Sequence, residues 1–325
     1  MRAALTAIAL AFGGGALDAY AAQPASADES TRAQESPLVA YSLELIESET
    51  KLPHSEIAEL RAIHFEMSRH PPPYGGDCAH TLGAARFAEQ YARLAAIQFS
   101  LGDYQASIDA DESALACTPR DASLHASIAS ANLSLGRIAE ARTAAERGYA
   151  IDRDNPNVQD VRARLDFLQE RWADATARFR LEIVSGEAQG FAEYDACFLW
   201  LAQRRAGVLH PELPPPGDDE EPKPRKKRWP TPVLELLKGE LTEAALVQAI
   251  RDDATGNEPR ERLTEALFYV GELRLAEGDV ETARKHFASV VNLHVLNFVE
   301  FGMARAELAR LRERSDALGK DAAAR

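Results

Sequence analysis

The sequence predicts an all-α chain of stacked helix-turn-helix units, and three observations carry that expectation. Small residues recur at Ala95, Ala129, Ala163 and Cys197, each 34 positions after the last. The turn former Gly102 recurs at Gly136, and large apolar residues keep the same step at Tyr104, Ile138 and Trp172, as do the small Ser107, Ala141 and Ala175. A fixed period of this length is how a chain encodes units that bury their apolar faces only against each other. Composition agrees: 46% of 325 residues are hydrophobic, enough to bury a core, while 3 cysteines are too few for a disulfide-dense scaffold. The net charge of −14 repels phosphate backbones and anionic headgroups, which excludes nucleic acid and lipid surfaces as general partners.

At the start of the chain Arg2 precedes an apolar run from Ala3 to Leu17, and Ala19-Tyr20-Ala21 offers a small-x-small cleavage site. Residues 1–21 are therefore expected to be an export signal, with Ala25-Ser26-Ala27 as a second cut. The run is too short and, with Gly13-Gly14-Gly15, too broken to span a bilayer. No cysteine lies near either site, so no lipid anchor is expected. The mature chain is expected to be soluble and periplasmic. Residues 22–87 then hold a tail and two amphipathic helices between Leu38 and His70, split at Pro53, which either cap the stack or pair two copies.

Repeat units are placed at about 88–121, 122–155 and 156–189, with a partial fourth from 190 whose first helix is Tyr194 to Arg205. Pro119 and Pro156 mark the hand-overs between units. The third unit departs from the others. Its apolar Val158, Val161, Leu165 and Leu168 read one residue out of step, and Glu170 stands where glycine is expected, which predicts a longer turn. Residues 210–232 interrupt the pattern with Pro214-Pro215-Pro216, an acidic Asp218 to Glu221 and a basic Lys223 to Arg228, and read as a solvated insertion. In 233–314, Val233 to Lys238 and Thr242 to Arg251 read as short helices joined at Gly239. A repeat-like pair follows with Gly271, Gly278, Ala283 and Phe287. A last helix, Phe298 to Leu311, is expected to cover the exposed end, and the tail 315–325 to fray.

The periodic residues resemble tetratricopeptide repeats, which implies a right-handed solenoid with N-terminal helices and a C-terminal capping helix. The stretch Trp229 to Leu311, with Asp253-Ala254-Thr255, Phe268-Tyr269, Gly278-Asp279, Asn297-Phe298-Val299-Glu300 and Glu307-Leu308, is similar to the C-terminal part of the NlpI family of bacterial tetratricopeptide lipoproteins. The resemblance runs more loosely back to about residue 88. It implies a periplasmic adaptor that brings a processing protease to cell-wall hydrolases or synthases, and a homodimer through N-terminal helices. The family's lipid-bearing cysteine is absent here.

Catalytic motifs are absent from the sequence: it has no H-E-x-x-H, C-x-x-C or G-x-S-x-G. No cofactor is expected, and the chain reads as a non-enzyme. His64, His70, Cys78 and His80 form the one set with metal-ligand chemistry; their spacing matches no common site, so a metal-dependent enzyme is the minor alternative. Cys78 before the first helix of unit one and Cys117 at the end of its second fall at one end of a helix pair, which makes them disulfide candidates; Cys197 holds a small buried position and reads as a free thiol.

A stack of this kind exposes the first helix of each pair on one face. Aligning the units puts Phe99, Leu133, Asp160, Arg164, Phe167, Phe268, Glu272 and Leu275 there, as candidates for protein binding. Phe99, Leu133 and Phe167 share one position of the period and either anchor a partner or pack between repeats. A general interaction module of an outer-membrane or secretion assembly is the alternative to the envelope adaptor.

Overall fold

The computed structural model describes residues 36–39, 62–63, 78–80, 83–185, 192–214, 229–252 and 259–323. Backbone contacts divide the chain into Met1–Ser36 and Pro37–Arg325, and every described residue but Ser36 belongs to the second unit. The expected export signal, most of the expected helices between Leu38 and His70, the start of the fourth repeat at Gly190 and the charged blocks of the insertion lie outside the described residues.

Among the described residues all regular structure is helical: short helical stretches at 37–39 and 62–63, a 3-10 turn at Cys78–His80 and twelve α-helices described over their length. These are α1 (Ala84–Ser100), α2 (Tyr104–Cys117), α3 (Ala122–Ser134), α4 (Ile138–Ile151), α5 (Pro156–Leu168), α6 (Trp172–Ser185), α7 (Ala192–Arg205), α8 (Thr231–Leu237), α9 (Glu243–Asp252), α10 (Pro259–Ala276), α11 (Val280–Leu293) and α12 (Val299–Ala323). Side-chain caps start several of them. Asp103, Asp121, Asn155 and Asp279 each accept a hydrogen bond from a backbone N–H two or three residues on, which satisfies donors a helix start leaves open. None of these helices is long and apolar enough to cross a membrane.

The helices pack in neighbouring pairs, α1 with α2, α3 with α4, α5 with α6 and α10 with α11, and each pair also touches the next element along the chain. The 34-residue step explains the closeness. Ala95, Ala129, Ala163 and Cys197 are fully buried, as are Ser107, Ala141, Ala175 and, in the C-terminal pair, Ala283. A side chain of one or two heavy atoms at these crossings lets two helix axes approach, where a larger one would hold them apart. The third unit is in register with the others. Val158, Ala163, Leu165 and Phe167 repeat the buried Leu124, Ala129, Ala131 and Leu133, so the expected one-residue slip does not occur.

The expected longer turn in that unit is also absent. Three residues join α5 to α6, as three join α1 to α2, α3 to α4 and α10 to α11. In each turn the middle N–H bonds three residues back and the next bonds five back: Gly102 to Phe99 and Asp103 to Gln98, Glu170 to Phe167 and Arg171 to Asp166. This closure needs a left-handed middle residue. Gly102, Gly136 and Gly278 adopt φ of 80°, 76° and 83°, and Glu170 adopts 58° against the steric preference of a residue with Cβ.

The C-terminal helix differs most from expectation. It does not end at Leu311 with a frayed tail after Ser315, but runs to Ala323, and it lies against α3, α5, α10 and α11 instead of covering a terminal face. Its apolar stripe of Phe301, Ala304, Leu308 and Leu311 is buried in the main core. Gly302 makes the approach possible: a Cβ there would stand 2.9 Å from the Ser134 backbone.

Cys78 and Cys117 form a disulfide with Cα atoms 4.5 Å apart, tying the 3-10 turn to the end of α2 across a separation of 39 residues. Cys117→Ser is expected to lower stability by about 2–4 kcal/mol, read as a drop in the urea midpoint that reducing agent reproduces in the unchanged protein. Equal midpoints with and without reductant would show that the bridge restrains nothing.

Candidate partner-binding face

The residues expected to line the first-helix face do not form one open surface. Leu133, Phe167, Phe268 and Glu272 are fully buried or nearly so, at 2%, 0%, 0% and 0% exposed. They cannot meet a partner in this conformation: Phe167 packs against the next helix, and Leu133 is closed off by α12. In each case neighbouring residues cover the side chain. Phe167 stacks edge-on against Trp172 and Phe198 at 5.3 and 5.5 Å, and Leu133 is covered by α12 at Gly302. Phe268 meets Phe198 and Phe287, and Glu272 is buried against Arg205. Phe99 and Leu275 are half-buried against the same core. At the α1 end the face stays open, with Glu89 and Ala96 exposed.

Asp160 and Arg164 remain partly accessible, paired at 2.6 Å across one turn of α5. Two further carboxylates converge on them. Asp160, Glu182 and Asp195, from α5, α6 and α7, each place an oxygen within 4.8 Å of the others, the one group of metal-capable side chains of this kind among the described residues. Burial pushes all three acids up, and repulsion from neighbouring carboxylates adds to it at Glu182, raised to about 9, and Asp195, raised to about 7. Chemically the cluster would accept a cation, and Arg164 already supplies one positive charge to it. The wall beyond continues acidic: Tyr269 donates to Glu300 at 3.1 Å, and Trp229 and Tyr194 meet Glu265, which burial raises to about 8.

A second network fastens α12. The strained Glu170 accepts from Arg205 of α7 at 3.3 Å, from Arg314 of α12 at 2.7 Å and from Arg310 of α12. Arg205 also pairs with the buried Glu272, and Arg305 donates to the Ser134 carbonyl at the end of α3 at 2.8 Å. A left-handed residue other than glycine costs about 1 kcal/mol, so a carboxylate kept at this turn points to the ion pairs it makes. Glu170→Gly would relieve the backbone and remove the latch. Amide exchange along α12 is expected to quicken about tenfold while exchange in α5 and α6 stays as it was; unchanged α12 exchange would mean that its apolar stripe alone holds it.

Sequence reasoning missed this fastening, although Glu170 in a glycine position was its visible trace. The proposed ligand set of His64, His70, Cys78 and His80 loses its sulfur, because Cys78 is bonded to Cys117; His64, His70 and the His80 side chain lie outside the described residues. Cys197 is a free, buried thiol, and burial among apolar neighbours pushes its ionisation up, which keeps it protonated and unreactive. No protein-family profile matches the chain.

Proposed function

We propose that the protein is a non-catalytic scaffold of the tetratricopeptide type, a right-handed solenoid that binds other proteins in the periplasm. The observation that carries this reading is the recurrence of fully buried small residues at a 34-residue step in helices that pack as successive pairs. Such an array presents side chains from several units on one continuous face, which suits recognition of a peptide or helix. The resemblance of Trp229 to Leu311 to the NlpI family supports an envelope adaptor linking a processing protease to peptidoglycan enzymes, without the family's lipid anchor. Within this reading the α1 end of the first-helix face, around Ala96, receives the partner, since α12 covers α3 and α5.

Affinity purification of residues 22–325 from an envelope extract tests it. Recovery of a protease or cell-wall enzyme in stoichiometric amount is the expected result. Recovery of outer-membrane or secretion assembly proteins alone would replace the adaptor with a general interaction module, and recovery of no protein would remove the scaffold reading.

A further inference from the structure

While one side of α5 packs into the core, another carries a polar seam covered by α4 and α6. Gln159, Arg162, Asp166 and Gln169 lie along it, bonded to residues of α4 and α6. Asp166, whose side chain is 1% exposed, accepts from three guanidinium groups: Arg142 at 2.9 Å, Arg178 at 2.7 Å and Arg171. Arg162 pairs with Glu146 at 3.2 Å and lies 3.6 Å over the Tyr149 ring. Four guanidinium groups thus share two carboxylates, in a chain whose net charge is −14.

One arginine would neutralise Asp166. Three repel each other, and the like charge of Arg171 adds to burial in holding Arg142 below the usual guanidinium range. Donors are also left over. Arg142 Nε and Arg162 Nη1 are buried without a partner, and the side chain of Arg162 is only 8% exposed. The seam opens toward α6, where Arg171 and Arg178 are 44% and 26% exposed. Asp174, exposed in the first turn of α6, tempers this field without joining the network.

We infer that the open edge of this seam is a receptor for an acidic, extended segment of a partner protein, whose carboxylates would pair with the exposed guanidinium groups of Arg171 and Arg178. Planar guanidinium forks match carboxylates in pairs of hydrogen bonds, as Arg162 does with Glu146 here. From Arg171 to Arg178 a helix advances ~10 Å, which an extended chain of about three residues spans. This inference stands apart from the first-helix face and does not require a partner there.

The test is calorimetric titration of residues 22–325 with a hexaglutamate peptide and, separately, with inorganic phosphate. Saturable peptide binding that weakens with salt is expected, at least tenfold weaker in Arg171→Gln/Arg178→Gln and unchanged in Arg284→Gln on α11. Arg171→Gln alone, at the most exposed of the three, serves if the double variant melts early. Phosphate binding as tight as the peptide would mean a site for small oxyanions and overturn the inference. So would absence of saturable binding, or equal peptide binding by wild type and double variant.

Discussion

Phe198→Ala is expected to cost about 3–5 kcal/mol, the range for emptying a fully enclosed aromatic site. Phe198, 1% exposed on α7, stacks on Phe179 of α6 at 5.1 Å, meets Phe167 of α5 edge-on at 5.5 Å and touches Phe268 and Tyr269 of α10 at 6.0 and 5.2 Å. It is where the helices before residue 214 meet those after residue 229. No neighbour is free to fill the space it would leave, since Phe167, Phe179, Phe268 and Tyr269 are themselves fully buried. Urea unfolding should show the midpoint falling in one transition, and Leu181→Ala, at a side chain 63% exposed, should leave it within about 0.5 kcal/mol. A loss below 1 kcal/mol for Phe198→Ala would mean that the two halves do not share a core.

Stability should also fall as pH rises, the reverse of ordinary acid denaturation. Burial raises Asp111 and Asp195 to about 7, Glu265 to about 8 and Glu182 to about 9. An acid whose folded value lies above its unfolded one binds its proton more tightly in the native state. Its favourable contribution is complete below about pH 4 and disappears as pH climbs through the folded value. His125 and His286 are shifted down by burial and act in the opposite sense, but only below their ordinary value of 6.5. Between pH 6.5 and 9 the carboxylates therefore decide, and the melting temperature is expected to drop by about 5–10 °C over that span. Glu182→Gln should remove part of the slope. A melting temperature that is flat or rises over this range would mean that the acids are solvated.

Much of this architecture can be read from spacing alone, because the step of 34 fixes which residues are small and buried and where the turns fall. Gly278 and Ala283 place the C-terminal pair by the same rule. What spacing misreads is a turn whose geometry survives a change of residue. Glu170 looked like an insertion because it lacks glycine's freedom, yet the backbone hydrogen bonds of the turn are the same and the side chain compensates through Arg205, Arg310 and Arg314. The docking of α12 was out of reach for a different reason. Phe301, Ala304, Leu308 and Leu311 announce an amphipathic helix, but a stripe does not say what it covers, and the bond from Arg305 to Ser134 joins residues 171 positions apart. That one placement buries Leu133 and narrows the expected binding face. The acidic cluster was half legible, as Asp160 and Arg164 lie one turn apart in the sequence, whereas Glu182 and Asp195 reach them only through the packing of α6 and α7.

Site-specific photo-crosslinking in cells asks most directly whether the open end of the first-helix face binds protein. A crosslinker at Ala96, exposed on α1, is expected to capture a discrete protein partner, while one at Glu112, exposed on the outer side of α2, captures none. Capture of the same partner equally from both positions, or of nothing from Ala96, would contradict a scaffold that binds through that face.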